Sequence, residues 1–331
     1  MIPAIVRGAI ANVFTVWDEQ GRIDENGQRN LIDYIHDNGS VCSYFVRSGM
    51  GQMYTYDVDD VKKMAVLACR HLEGRGPVIV GTSGIWDRNL DRRPDTEVFT
   101  RQACELSQFA EQQGAAGIVL TLPEALAPKG GETHRDVILR YFERVSDAIT
   151  IPIILYQPPG TQPEYCVTME LAESLAQIPQ VTAMKVSTVD AQYIHNLCYT
   201  MVPNGFHFIA GSECAFLTAL YAGACGCIGQ GCTLNPAIVK AIQDFYEADD
   251  RESAIEAQRS TNMLVEKGVA TVEWFKRYIT ERGYPVSTYA RDAGKNPYVS
   301  APTPLTQDAY ESFKLIYEAE LETYGATPPR R

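Results

Sequence analysis

Eight short apolar runs recur along the chain, each followed by a longer segment of helical periodicity, in units of about 30 to 40 residues as βαβ architecture requires. The runs fall at residues 8–14, 41–46, 77–81, 117–122, 151–156, 181–186, 206–211 and 225–230. Each is nearly continuous in apolar residues, which suits parallel strands buried on both faces. The intervening segments carry matching helix signals. Asp57 stands as an N-cap with Asp60 at the third helical position, and Val61, Met64, Ala65 and Leu67 lie on one side. Gly39, Gly114 and Gly223 fall where helices should end. Eight such units predict an α/β fold of the (β/α)8, or TIM barrel, class, with reactive groups at the carboxyl ends of the strands. An open doubly wound sheet would want a glycine-rich phosphate loop after its first strand, and Phe14-Thr15-Val16-Trp17 is not such a loop.

Past residue 250 the rhythm changes to helix alone, with amphipathic spacing over 252–267, 270–282 and 306–324. The expected division is a barrel over 1–248 and a C-terminal helical extension over 249–331. Gly283-Tyr284-Pro285 and residues 296–304 read as loops, and 326–331 as a fraying end.

Composition removes several classes of function. The 331 residues hold 29 Lys and Arg against 41 Asp and Glu, a net charge of −12, which would repel a phosphate backbone. Nucleic acid is therefore not an expected partner. No apolar run approaches the roughly 18 residues of a membrane span, and the first residues lack a basic, cleavable leader pattern, so a cytoplasmic location without membrane partners is expected. The nine cysteines follow no framework spacing and read as reduced core thiols. Cys225, Cys227 and Cys232 lack a second Cys/His cluster nearby in sequence, and no metal is expected.

Three segments carry candidate chemistry. Lys185 sits inside Val181-Thr182-Ala183-Met184-Lys185-Val186, where an unpaired ammonium meets a heavy desolvation penalty. Burial favours the neutral amine, a nucleophile. The ordinary alternative is a strand-end lysine that leans into solvent or pairs with a carboxylate. Tyr156 closes the run before Gln157-Pro158-Pro159-Gly160 and could pass protons at the same mouth; the alternative is a core-capping tyrosine. In Arg47-Ser48-Gly49-Met50-Gly51-Gln52, two glycines let backbone N–H groups converge on an anion, though a plain tight turn reads equally well.

These segments, in this order and at these strand ends, resemble the dihydrodipicolinate synthase / N-acetylneuraminate lyase family of Schiff-base aldolases and lyases. The resemblance spans nearly the whole chain and is supported by Pro77-Val78-Ile79-Val80-Gly81-Thr82, by Gly211, by Gly226-Cys227-Ile228-Gly229 and by Thr303-Pro304-Leu305-Thr306. It implies that Lys185 forms the imine, that Tyr156 is the acid–base group, and that the turn of Ser48, Gly49, Met50 and Gly51 binds the carboxylate of a small 2-oxo acid. It also implies a homo-oligomer, tetramer or dimer, and no cofactor. Gly229 and Gln230 are expected near the substrate, Gln230 as a hydrogen-bonding group and Gly229 as a close approach, with a simple bend as the alternative.

The chain departs from the family pattern at several positions. Gly49 and Met50 stand where the family turn has hydroxyl residues, and Gln52 where it has an acid. Leu122-Pro123-Glu124-Ala125 lacks the tyrosine pair of the synthase branch, and Thr161 replaces that branch's arginine, so lysine biosynthesis is not expected. Ser48 could replace a missing hydroxyl. Glu124 could act as a substitute acid, although an exposed loop glutamate is the commoner case. The enlarged connection after the third strand, residues 86–94, could form a lid in which Arg92 or Arg93 grips a distal carboxylate or polyol; a solvated face is the alternative.

The expected reaction is that of a class I, Schiff-base lyase. Neutral Lys185 attacks C2 of a 2-oxo acid such as pyruvate or a 3-deoxy-2-oxo sugar acid, and the imine acts as an electron sink at C3. Aldol cleavage and dehydration share this imine. A hydratase–aldolase on an aromatic pyruvate is a further branch, with Met50, Tyr54 and Trp86 near the mouth. The rival classes are a barrel that binds 2-oxo or sugar acids without turnover and a metal-dependent aldolase. The first gains little from a buried amine where an arginine would serve, and the second needs strand-end histidines of which only His207 begins a strand.

Overall fold

The computed structural model describes residues 3–268, 271–291 and 305–331. Eight parallel strands close on themselves: β1 (Gly8–Asn12), β2 (Ser43–Val46), β3 (Val78–Gly81), β4 (Gly117–Thr121), β5 (Ile153–Gln157), β6 (Val181–Val186), β7 (His207–Ala210) and β8 (Gly226–Cys227). Each strand pairs with the next, and β8 pairs back to β1 through Gly226 with Gly8 and Cys227 with Ala9. The helices between them are α1 (Glu25–Asn38), α2 (Val58–His71), α3 (Thr96–Gln112), α4 (His134–Ser146), α5 (Met169–Leu175), α6 (Ala191–Met201) and α7 (Phe216–Ala222). A single turn, α8 (Gly231–Leu234), and α9 (Pro236–Glu247) follow β8.

Local chemistry explains the boundaries. Asp57 and Asp60 form a reciprocal capping box at the start of α2, worth about 1 kcal/mol. Gly39 ends α1 in the left-handed region at φ 78°, a conformation that costs a residue with a Cβ about 1 kcal/mol or more.

Alternation along the strands separates two apolar layers. Ile10, Phe45, Ile79, Val119, Ile154, Ala183 and Ile209 fill the barrel interior, while Ala11, Val46, Val80, Ile118, Leu155, Met184 and Phe208 pack in the layer between sheet and helices. Burying each large aliphatic side chain contributes about 1.5–3 kcal/mol. The interior face continues toward the carboxyl ends through Asn12, Thr121, Tyr156 and Lys185, all buried.

β8 departs most from the expected bounds. β8 is only Gly226–Cys227 rather than 225–230, because the Gln230 carbonyl accepts the N–H groups of Thr233 and Leu234 and starts a helical turn. The chain ends in α10 (Arg251–Lys267), α11 (Thr271–Glu281) and α12 (Gln307–Thr323). α11 buries Trp274, Phe275, Tyr278 and Ile279, with Phe275 edge-on to Phe14 at 5.6 Å between ring centres. The loop expected over 296–304, Ala270, and Thr303 and Pro304 of the late-chain motif lie outside the described residues. All nine cysteines are free, five buried and four partly so. Among the described residues, no helix is long and apolar enough to cross a membrane.

Candidate active site

β5 and β6 pair in register at Ile153 with Val181, then shift so that Ile154 pairs with Ala183. Thr182 is the extra residue, a bulge in β6. Without it Tyr156 would stand opposite Met184. With it Tyr156 pairs with Lys185, both point into the barrel, and Lys185 Nζ lies 4.1 Å from the centre of the Tyr156 ring. Both side chains are buried, 4% and 3% exposed. An ammonium over a desolvated ring is held by roughly 1–2 kcal/mol.

The turn after β2 is more occupied than its sequence implies. Ser48 Oγ donates to Val13 O at 3.3 Å and accepts Gly51 N–H at 3.0 Å. The N–H groups of Gln52 and Met53 close on Gly49 O and Ser48 O. Gly51 therefore does not offer its N–H to a ligand, and the Ser48 hydroxyl braces the turn. The N–H groups of Gly49 and Met50 have no partner among the described residues. Gln52 is structural too, accepting from Trp17 Nε1 at 2.7 Å and donating to Arg291 O. From below, Thr15 Oγ1 bonds Gly51 O at 2.5 Å and Tyr56 Oη at 2.8 Å, and buried Lys276 on α11 donates to Thr15 O at 2.7 Å.

Two groups at the mouth, Glu213 and Asn12, carry no local sequence signal that singles them out. Glu213, just past β7, is 4% exposed and accepts Gly231 N–H at 2.9 Å. Burial raises its pKa above the ordinary carboxylate range, against the opposing pull of backbone N–H groups and of Lys185. A Cβ on Gly229 would lie 1.9 Å from Glu213 Oε2. Gly229 therefore makes room for this carboxylate, a closer approach than a bend requires. Gln230 is half-buried beside it, its backbone engaged in the α8 turn. Asn12 Oδ1 on β1 is buried with no hydrogen-bond partner among the described residues, and the Asn12 carbonyl accepts from Thr233. Arg47, at φ 52°, buries its guanidinium against Gly81 O and Ser83 O at 3.1 and 2.7 Å, and burial lowers its pKa to about 10.

Glu124 is 3% exposed rather than a solvated loop acid. Its Oε2 takes Arg88 Nη2 at 2.8 Å and its Oε1 takes Gln162 N at 2.9 Å. It is thus a buried ion-pair partner of Arg88. Among the arginines of the enlarged connection, Arg88 reaches the mouth, while Arg92 is exposed and pairs with Asp87.

Comparison with known proteins agrees with this architecture. The model of the dihydrodipicolinate synthetase family matches residues 5–318. Escherichia coli K12 YagE, provisionally named a 2-dehydro-3-deoxy-D-gluconate aldolase, is 26% identical over 292 residues, covering 86% of this chain and 90% of that protein. The 4-hydroxy-tetrahydrodipicolinate synthase of Pelobacter propionicus is 27% identical over 252 residues, covering 75% and 78%. The crystal structure of YagE in complex with pyruvate superposes with a TM-score of 0.76 at 24% identity over 97% of this chain and 99% of that one, a likeness of fold.

Proposed function

The chain belongs to the dihydrodipicolinate synthetase family, and from that premise we propose that it is a Schiff-base lyase acting on a small 2-oxo acid. The observation that carries the reading is the buried amine of Lys185 set 4.1 Å over the Tyr156 ring at the carboxyl ends of adjacent strands. The pyruvate held by YagE supports a 2-oxo acid as ligand.

Lys185 adds to the C2 carbonyl, and loss of water from the carbinolamine gives the iminium. In a 3-deoxy-2-oxo acid with a C4 hydroxyl, removal of that hydroxyl's proton breaks the C3–C4 bond. The electron pair moves into the iminium and an aldehyde leaves. Protonation of the enamine at C3 and hydrolysis release pyruvate and restore the amine. Tyr156 is the proton carrier for these steps. The C1 carboxylate rests on the N–H groups of Gly49 and Met50, with Ser48 and Gly51 holding the turn's shape. Glu213, in the space Gly229 leaves, and Asn12 accept hydrogen bonds from substrate hydroxyls.

The test is a panel of 3-deoxy-2-oxo acids, assayed for pyruvate and for dehydrated product. Pyruvate identifies cleavage and a dehydrated 2-oxo acid identifies the alternative branch. No product from any member, in either direction, overturns the reading.

A further inference from the structure

We propose that Arg88 and Glu124 together read the far end of the substrate and select an uncharged, hydroxyl-bearing tail over a second carboxylate. This rests on the 2-oxo acid reading above and adds the tail's chemistry to it.

The pair sits on the same end of the barrel as Lys185. Glu124 follows β4 closely, and Thr121 at the end of β4 is the register partner of Tyr156. Pro159 and Gly160 follow β5 just past Tyr156. Arg88 comes from the connection after β3 and ties these loops together, donating to Glu124 Oε2 at 2.8 Å, Gly160 O at 3.0 Å and Pro159 O at 3.1 Å. Its guanidinium also faces the ring of Tyr54, beyond β2, at 5.9 Å. One side chain thus joins the ends of four neighbouring strands over the side of the mouth next to Tyr156.

The electrostatics of the pair set its preference. The side chains are 12% and 4% exposed, so water screens them little. The arginine's charge is cancelled by Glu124, and the donors described above are aimed at protein acceptors. A substrate that brings a second carboxylate finds no surplus positive charge here, and it meets the Glu124 carboxylate itself. Like charges in a poorly screened site repel strongly, and such repulsion is a common source of specificity. A hydroxyl meets no such penalty. A carboxylate offers about four lone-pair directions, and a hydroxyl donor can share those that Arg88 and Gln162 leave.

Glu124→Gln keeps the shape and releases the arginine's charge, so the preference should move toward an anionic tail. The double variant Arg88→Gln/Glu124→Gln removes both charges and should lose preference in either direction. The probes are 2-oxoglutarate and 5-hydroxy-2-oxopentanoate, equal in chain length, with dissociation constants measured by calorimetry on the whole protein. The wild type is expected to favour the hydroxy acid by about tenfold or more, and Glu124→Gln to move the ratio about tenfold toward 2-oxoglutarate. If Glu124→Gln does not fold, the double variant against the wild type decides by whether the preference vanishes. A ratio unchanged by either substitution overturns the proposal. Borohydride reduction of the same samples separates the two claims. Imine formation with an unchanged ratio removes the tail selection alone, while a shifted ratio without imine leaves the pair as a recognition element and removes the Schiff-base reading.

Discussion

Lys185 and Tyr156 are register partners on adjacent strands because β6 accommodates one extra residue at Thr182, and this places Nζ 4.1 Å from the centre of the ring. A slip of one residue in a strand exchanges its inward and outward faces. The bulge thus decides which residue Tyr156 meets.

Tyr156→Phe keeps the ring under the amine and removes the proton carrier. Turnover of the cognate 2-oxo acid should fall roughly 100- to 10 000-fold, with little change in KM. Steady-state kinetics check this, and a loss under about tenfold would assign proton transfer elsewhere.

Gly229→Ala puts a Cβ where Glu213 Oε2 now lies. The carboxylate would have to leave Gly231 N–H, at an expected cost of about 1–3 kcal/mol in denaturant unfolding. Glu213→Ala in the same chain should recover at least about 1 kcal/mol of that loss. Simple additivity would show that the two positions do not compete for the same space.

Ser48→Ala leaves Val13 O and Gly51 N–H without the hydroxyl that bridges them. Stability should drop by about 1–3 kcal/mol, and KM for the 2-oxo acid should rise more than kcat falls. A fall in kcat alone would instead make Ser48 a participant in the chemistry.

Lys276 is buried against Thr15 O, and burial lowers its pKa to about 8, whereas the unfolded chain titrates near 10.4. Below about pH 8 both states hold the proton and the cost of burial is constant. Between about 8 and 10.4 the unfolded state keeps a proton that the folded state has shed, so stability rises with pH, by about 3 kcal/mol in full. Thermal unfolding of wild type and Lys276→Met from about pH 7 to about pH 10 should show the difference moving in the wild type's favour. A constant difference would contradict the depressed pKa.

The barrel was legible because its signals are local. Apolar strand runs, the Asp57 cap and Gly39 depend on residues close in sequence. Lys185 and Tyr156 stood out for the same reason, a polar group inside or at the end of an apolar run. What escaped depends on contacts between distant positions. Nothing near Glu213 in sequence shows that Gly229 makes room for it, and nothing near Arg88 shows that Glu124 awaits it rather than solvent. The true extent of β8 was hidden likewise, since the run 225–230 is apolar enough for a strand and Gln230 O turns instead to Thr233 and Leu234.

The central claim is the imine at Lys185. Wild type and Lys185→Met are incubated with pyruvate, reduced with borohydride, and weighed intact and as peptides. The account predicts one pyruvate-sized increment on the wild type, mapped to the peptide carrying Lys185 and absent from the variant. No increment with pyruvate or with longer 2-oxo acids, or an increment carried by another lysine, would contradict it.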